Sequence, residues 1–389
     1  MDPIALALPV FVVAILGEAL WARRVGRDVI DFDDAVAALA TGILQRAWLL
    51  LLAAPLALPY AALWEHRLIE LPLWLEWVVG IVGVDLCFYA WHRWSHVSHL
   101  GWATHLVHHQ SERYNLAVSL RQSATEPLSS LPFYLPLALG GVSLEVLVAA
   151  GSINLLYQFV QHTELADGPA WWGTVFVTPS HHRVHHAVNP AYLDKNFGGM
   201  FILFDRAFGT FAPEEERPKY GTVAFAQTYD PIWANAFWFA KMAEIARASS
   251  GWNRWLVPWR SPSWGTQADS AERPPFRPNG GRGHEAYVTF QLGAAVVLLG
   301  AAMALVPAPI AATGVAVSLT MAGVVWGRIF ERRPWRALEG IRLATNAAAW
   351  WLLAGPAAGS VALLWAAASG AWVAQGAKLG SSQGVTRSP

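Results

Sequence analysis

The sequence is nearly devoid of cysteine. Its 389 residues include one, Cys87, which excludes an intrachain disulfide, a CxxC redox pair, a cysteine-ligated iron–sulfur cluster and a CxxCH haem attachment. Charge is scarce as well. Only 14% of residues are charged, and 27 basic and 27 acidic side chains cancel, so no basic field or polybasic tail points to nucleic acid. HExxH, the zinc-hydrolase pattern with a glutamate base, does not occur. Neither does a flavin or nicotinamide fingerprint, nor the HPGG of a fused cytochrome b5 domain.

Apolar surface is abundant. Hydrophobic residues make up 54% of the chain, 22 residues are tryptophan, and mean hydropathy is +0.33. This composition fits a membrane protein with aromatic rings at the headgroup boundary. A first span is predicted over Pro3 to Trp21, followed at once by Arg23, Arg24 and Arg27. A secretory signal places its charge before the apolar run, so this reads as an uncleaved span with its N-terminus outside. Further spans are predicted within Ala35 to Trp64 and over Leu71 to Tyr89. The run from Leu128 to Val160 is interrupted by Gly140 and Gly141 and reads as a hairpin that dips in and returns. Others fall near Tyr287 to Val306, Pro309 to Trp326, and Leu343 to Val373, the last divided by Gly355, Pro356 and Gly359. Arg328, Arg332, Arg333 and Arg336 mark an inside loop.

The expected fold is an all-α integral membrane protein, a multi-span helical bundle with a histidine-rich di-metal site at its cytoplasmic face. Residues 1–84 form N-terminal spans and 85–250 a catalytic domain containing the hairpin 128–160. A polar linker follows over 251–286, then C-terminal spans over 287–375 and a polar tail over 376–389. The bacterial inner membrane is the expected location. Trp233, Phe237 and Trp238, on a helix near Pro231 to Ala246, are expected in the membrane interface.

Of 13 histidines, eleven lie between Asp85 and His186. They cluster in HRWSH (His92, His96), HLVHH (His105, His108, His109) and HHRVHH (His181, His182, His185, His186), with His99 and His162 apart. On a helix, residues three and four apart share a face, so each cluster aims several imidazoles one way. Imidazole suits iron, zinc and copper. A lone histidine on an apolar face is ordinarily a satisfied core residue, but three clusters this close call for metal. One ion needs three or four protein ligands, whereas roughly nine or ten are offered, which matches two ions better. Such a pair can activate O2 against an unactivated C–H bond.

Asp85, Tyr89 and His92 fall at i, i+4 and i+7 on one face of the third span. A carboxylate there suggests function, such as orienting a ligand histidine, or a structural hydrogen bond to another helix. Asn154 and Gln158 lie one turn apart with His162 a turn later, a polar stripe that lines the site or packs helix on helix. These four, Asp85, Tyr89, Asn154 and Gln158, are the candidate catalytic residues. His99 reads as an ordinary exposed histidine, and His66 and His284 receive no role. Two other classes remain in view: an electron-transfer protein holding haem through paired histidines, and a metal transporter.

HxxxH at His92 and His96, and HxxHH at His105 to His109 and at His182 to His186, between membrane hairpins, resemble the fatty acid hydroxylase and sterol desaturase superfamily. HHQSERYNLAVSLRQS (108–123), TPSHHRVHH (178–186), NPAYLDKNFGG (189–199) and DRAFGTF (205–211) resemble its alkylglycerol monooxygenase branch. The resemblance implies a membrane di-iron oxygenase acting on a lipid with O2. It implies His92, His96, His105, His108, His109, His182, His185 and His186 as iron ligands, with His162 and His181 as additional ligands or supporting donors. Asn115, Asp194 and Asn196 lie in the same segments. Val97 departs from the branch, which carries glutamate at that place. Electrons must come from a separate cytochrome, ferredoxin or reduced pterin, since the chain carries no such cofactor motif.

Overall fold

Apolar runs of this length settle into helices because a lipid environment leaves backbone polar groups no other partners. The computed structural model describes residues 3–224, 226, 228–266, 276 and 284–381. Among these residues the regular secondary structure is helical apart from two isolated β-bridges, with loops and turns between the helices. Three long helices come first: α1 (Pro3–Arg24), α2 (Phe32–Trp64) and α3 (Leu73–Val97). Two short ones follow, α4 (His99–His109) and α5 (Leu116–Ser119), then the pair α6 (Glu126–Leu139) and α7 (Leu144–Gln161). A polar cap carries α8 (Pro179–His185), α9 (Leu203–Phe208), α10 (Pro231–Ala248) and α11 (Asn253–Leu256). The chain then returns to apolar helices α12 (Glu285–Leu305), α13 (Pro309–Phe330) and α14 (Arg336–Ser381), the last broken at Gly355, where φ is 84°. Seven of the described helices (α1, α2, α3, α7, α12, α13 and α14) are long and apolar enough to cross a membrane.

The hairpin turn falls at Gly140 and Gly141. Gly141 has φ +87°, and a Cβ there would lie 2.4 Å from the Ile69 carbonyl oxygen, so only glycine fits. Small residues set the main helix contact: Ala40 of α2 faces α13, and a Cβ on Gly323 would sit 3.3 Å from that of Ala40. Trp48 Nε1 donates to Thr320 Oγ1 at 3.0 Å across the same seam. The C-terminal helices are clasped by a buried polar network in which Arg342 donates to Glu339 and Gln291, and Gln291 to Ser369. Every charge in that cluster is paired, the condition for keeping ions inside an apolar bundle.

Two expectations need correction. Trp238 is not interfacial: it is 3% exposed and packs against Ala103 and Leu106 of α4, while Trp233 is 46% exposed. His99 is not an exposed histidine. It is fully buried, its Nε2 bonded to the Trp264 carbonyl at 2.9 Å and its ring stacked on Trp238, because α10 and the 257–264 segment close over the start of α4. Residues 267–275 and 277–283 of the expected linker, and 382–389 of the expected tail, lie outside the described residues.

Candidate metal centre

Four pieces of backbone bring the histidines together. The last turns of α3 carry His92 and His96; Ser98 then ends α3 and caps α4 by accepting from Gly101 N at 3.0 Å. A Cβ at Gly101 would lie 2.5 Å from Ser95 Cα, so glycine permits the sharp reversal that folds His105, His108 and His109 back toward His92. His162 is the residue closing α7. Helix α8 opens on a capping box between Thr178 and His181 and presents His182 and His185, with His186 at its end.

Nine rings converge in two groups. His92, His96, His105, His109 and His185 form one; His108, His162, His182 and His186 form the other, and within each the ligand atoms lie within 4.8 Å of one another. The grouping cuts across the sequence clusters. His109 and His186 stack at 4.4 Å between centroids where the groups adjoin. His181 joins neither: its ring serves the α8 cap and meets Phe211 edge-on.

The hydrogen bonds fix which nitrogen faces the centre. Nδ1 of His92 lies 2.8 Å from the Phe197 carbonyl oxygen, that of His108 3.0 Å from Arg121 O, that of His162 2.8 Å from Gln158 O, and that of His185 2.9 Å from Lys195 O. A nitrogen against a carbonyl must carry the proton, so Nε2 of each ring is a bare lone pair. His108 and His162 aim two such lone pairs at each other across 3.3 Å. Nε2 of His185 and of His96 is buried with no hydrogen-bond partner. Other Nε2 pairs stand at 2.9 to 3.2 Å. Only a cation relieves this arrangement. A proton is disfavoured: burial first, then neighbouring imidazoles, pull His105, His109, His185 and His186 well below the ordinary value, and burial brings His108 to about 4. A metal ion fits, because nitrogens about 2.1 Å from one ion at tetrahedral or octahedral angles stand roughly 3.0–3.4 Å apart. Rings packed this closely leave no slot for a porphyrin plane.

The candidate polar residues lie behind the imidazoles. Asp85 accepts from Met200 N at 2.6 Å, Phe201 N at 2.8 Å and Asn154 Nδ2 at 2.5 Å; it fixes the loop presenting the Phe197 carbonyl and touches no ring nitrogen itself. Gln158 donates to Asn154, and its own carbonyl holds His162. Tyr89 bonds Thr210 Oγ1 at 3.0 Å, away from the histidines. Asp194 Oδ1 stands 3.6 Å from His96 Nδ1, Asn196 ties His181 O to Ala212, and Asn115 caps α5. Three supports were not singled out from sequence. Asp205 accepts from Phe197 N and Gly198 N, each at 2.8 Å, buckling the other end of the same loop. Buried Arg121 returns its Nε to Val107 O at 2.8 Å and stands 3.5 Å from Asp34, fixing the carbonyl that holds His108. Tyr114 stacks on His162 at 5.4 Å. All three sit inside the quoted motif segments, which is the signal that marks them.

Residues 77–210 match the family model "Fatty acid hydroxylase", so this segment carries a fatty acid hydroxylase domain. It is similar to alkylglycerol monooxygenase of Danio rerio, 37% identical over 269 residues (66% of this chain, 59% of that protein), and to the Homo sapiens protein of the same name, 35% identical over 271 residues (68% and 60%). An ornithine lipid hydroxylase of Rhizobium tropici is 28% identical over 144 residues (36% and 43%). The chain spans about 60% of the length of the first two. No solved structure matches.

Two outcomes are expected. Asp205→Ala strands two buried N–H groups, costing roughly 2–4 kcal/mol, and frees the Phe197 carbonyl; metal should leave the five-histidine group first, read by metal analysis, and unchanged metal content contradicts this role. Acidification should destabilise the metal-free protein. As pH falls through about 6.5, unfolded imidazoles take up protons that the folded ones refuse, down to about 4 at His108, so stability falls with pH across that window. A metal-free Tm that holds level from pH 7 to 5 contradicts it.

Proposed function

We propose that this protein is a membrane-bound di-iron oxygenase that hydroxylates a lipid. The observation that carries the reading is the opposed pair of bare nitrogens on His108 and His162, in a four-histidine group beside a five-histidine one. Iron suits an all-imidazole donor set and supplies activation of O2 for attack on a C–H bond. The balance is R–H + O2 + 2 electrons + 2 protons giving R–OH + water, with the electrons from a separate donor. Hydroxylation is preferred to desaturation because the named relatives are a monooxygenase and a hydroxylase. Their names also suggest the substrate classes, alkylglycerols or ornithine lipids. The arginines after α1 favour a cytoplasmic metal face, in a bacterial inner membrane.

The chain's own part is to hold and shield. Backbone carbonyls at Phe197, Arg121, Gln158 and Lys195 keep each ring in one tautomer, which raises its basicity toward the metal. The apolar residues around His162 exclude water and admit hydrocarbon.

Protein purified in detergent should carry two irons per chain and no Soret band. His108→Ala and His185→Ala should each lose iron, whereas His181→Ala should keep both. Given a chemical reductant, membrane lipid and 18O2, the loaded protein should place one 18O atom in the lipid product. A Soret band, or iron retained in both ligand variants, overturns the metal assignment; two irons with no 18O in any lipid overturns the oxygenase reading.

A further inference from the structure

Helices α1 and α12 lie outside the family-matched segment, yet they wall a cavity of about 330 Å³ that reaches His162. That volume is at the lower end of those that hold small ligands. The cavity has a direction. Helix α1 ascends beside α7: the Phe11 ring packs tilted against Phe159 with centroids 4.5 Å apart, and Glu18 accepts from Thr163, the residue after His162, at 2.6 Å. Helix α12 descends against it, with Leu8 3.4 Å from where a Cβ on Gly300 would stand. Lining residues on α1 run from Ile4 to Leu16, a rise of roughly 18 Å. His162 and Gln158 therefore mark one end, and Ile4, Leu8 and Leu299 the other.

The wall is open on one side. Val12 and Leu16 of α1 and Thr289 and Gly293 of α12 all line the cavity and are all exposed on the outer surface. A Cβ built on Gly293 meets no heavy atom within 4 Å. The polar clefts at Arg27, Glu164 and Tyr220 include none of the nine converging histidines.

We propose that the gap between α1 and α12 is the lateral portal through which the hydrocarbon chain of a bilayer lipid reaches His162, with Gly293 as its threshold. The proposal rests on the four-histidine group being the reacting centre. It gives the C-terminal helices a purpose: α12 is half of the doorway. A side chain at Gly293 projects into open space rather than into the bundle, so it blocks passage without disturbing the fold, and replacing glycine in a helix does not weaken that helix.

The test uses iron-loaded protein in lipid nanodiscs. Wild type, Gly293→Phe, Val12→Trp on the opposite lip, and Gly370→Phe, an equally open glycine on α14 away from the cavity, are each exposed to a lipid bearing a diazirine within its alkyl chain. Adducts are mapped by peptide mass spectrometry, and iron and lipid hydroxylation are measured in parallel. Labelling of 4–16 and 289–299 is expected in wild type and Gly370→Phe. It should fall at least tenfold in both portal variants, with iron content unchanged. Undiminished labelling and hydroxylation in both portal variants overturn the portal while leaving the oxygenase reading intact. A tenfold loss of labelling in a protein that hydroxylates no lipid supports the portal and removes the oxygenase reading.

Discussion

Two imidazole nitrogens, each with its lone pair exposed and its other nitrogen held by a carbonyl, face each other across 3.3 Å at His108 and His162. In a buried site such an arrangement is repulsive without a cation, and the rest of the structure is arranged to impose it. The carbonyls are held as firmly as the rings. Asp85 and Asp205 buckle the loop carrying Phe197, and Arg121 is tied to Val107 and Gln110 so that its own carbonyl stays on His108. Close-packed glycines let those pieces approach: a Cβ at Gly199 would lie 2.7 Å from Asp85 Oδ1 and 2.8 Å from Asn154 Oδ1.

This support divides into two materials. Long apolar helices fix the depth and direction of α3 and α7, and thus of His92, His96 and His162. The polar cap, stabilised by ion pairs such as Arg183 with Glu214, brings α8 over them. A metal bound at the junction would tie the cap to the apolar helices, coupling metal affinity to cap stability.

Much of this was legible in the chain. Histidines three and four apart announced shared helix faces, and Gly140 with Gly141 announced a hairpin, because both are local properties of helix geometry. The five-and-four division was not legible: it places His108 apart from its neighbour His109, and His185 apart from His186, since adjacent residues on a helix point about 100° apart. His181 and His182 differ for the same reason, one ring turning back to cap α8 and the other entering the centre. His99 looked exposed because nothing local reveals that the 257–264 segment, over 150 residues away, closes on it. Asp85 was marked by its cost in an apolar helix; beside the Asn154 side chain its partners are backbone amides at Met200 and Phe201, which side-chain patterns do not encode.

The most direct test of the central claim is anomalous scattering at the iron edge from crystals of the iron-loaded protein. The account predicts two peaks, one within the group His92, His96, His105, His109 and His185 and one within His108, His162, His182 and His186. No peak between His108 and His162, in protein that retains its fold and carries iron elsewhere, would contradict it.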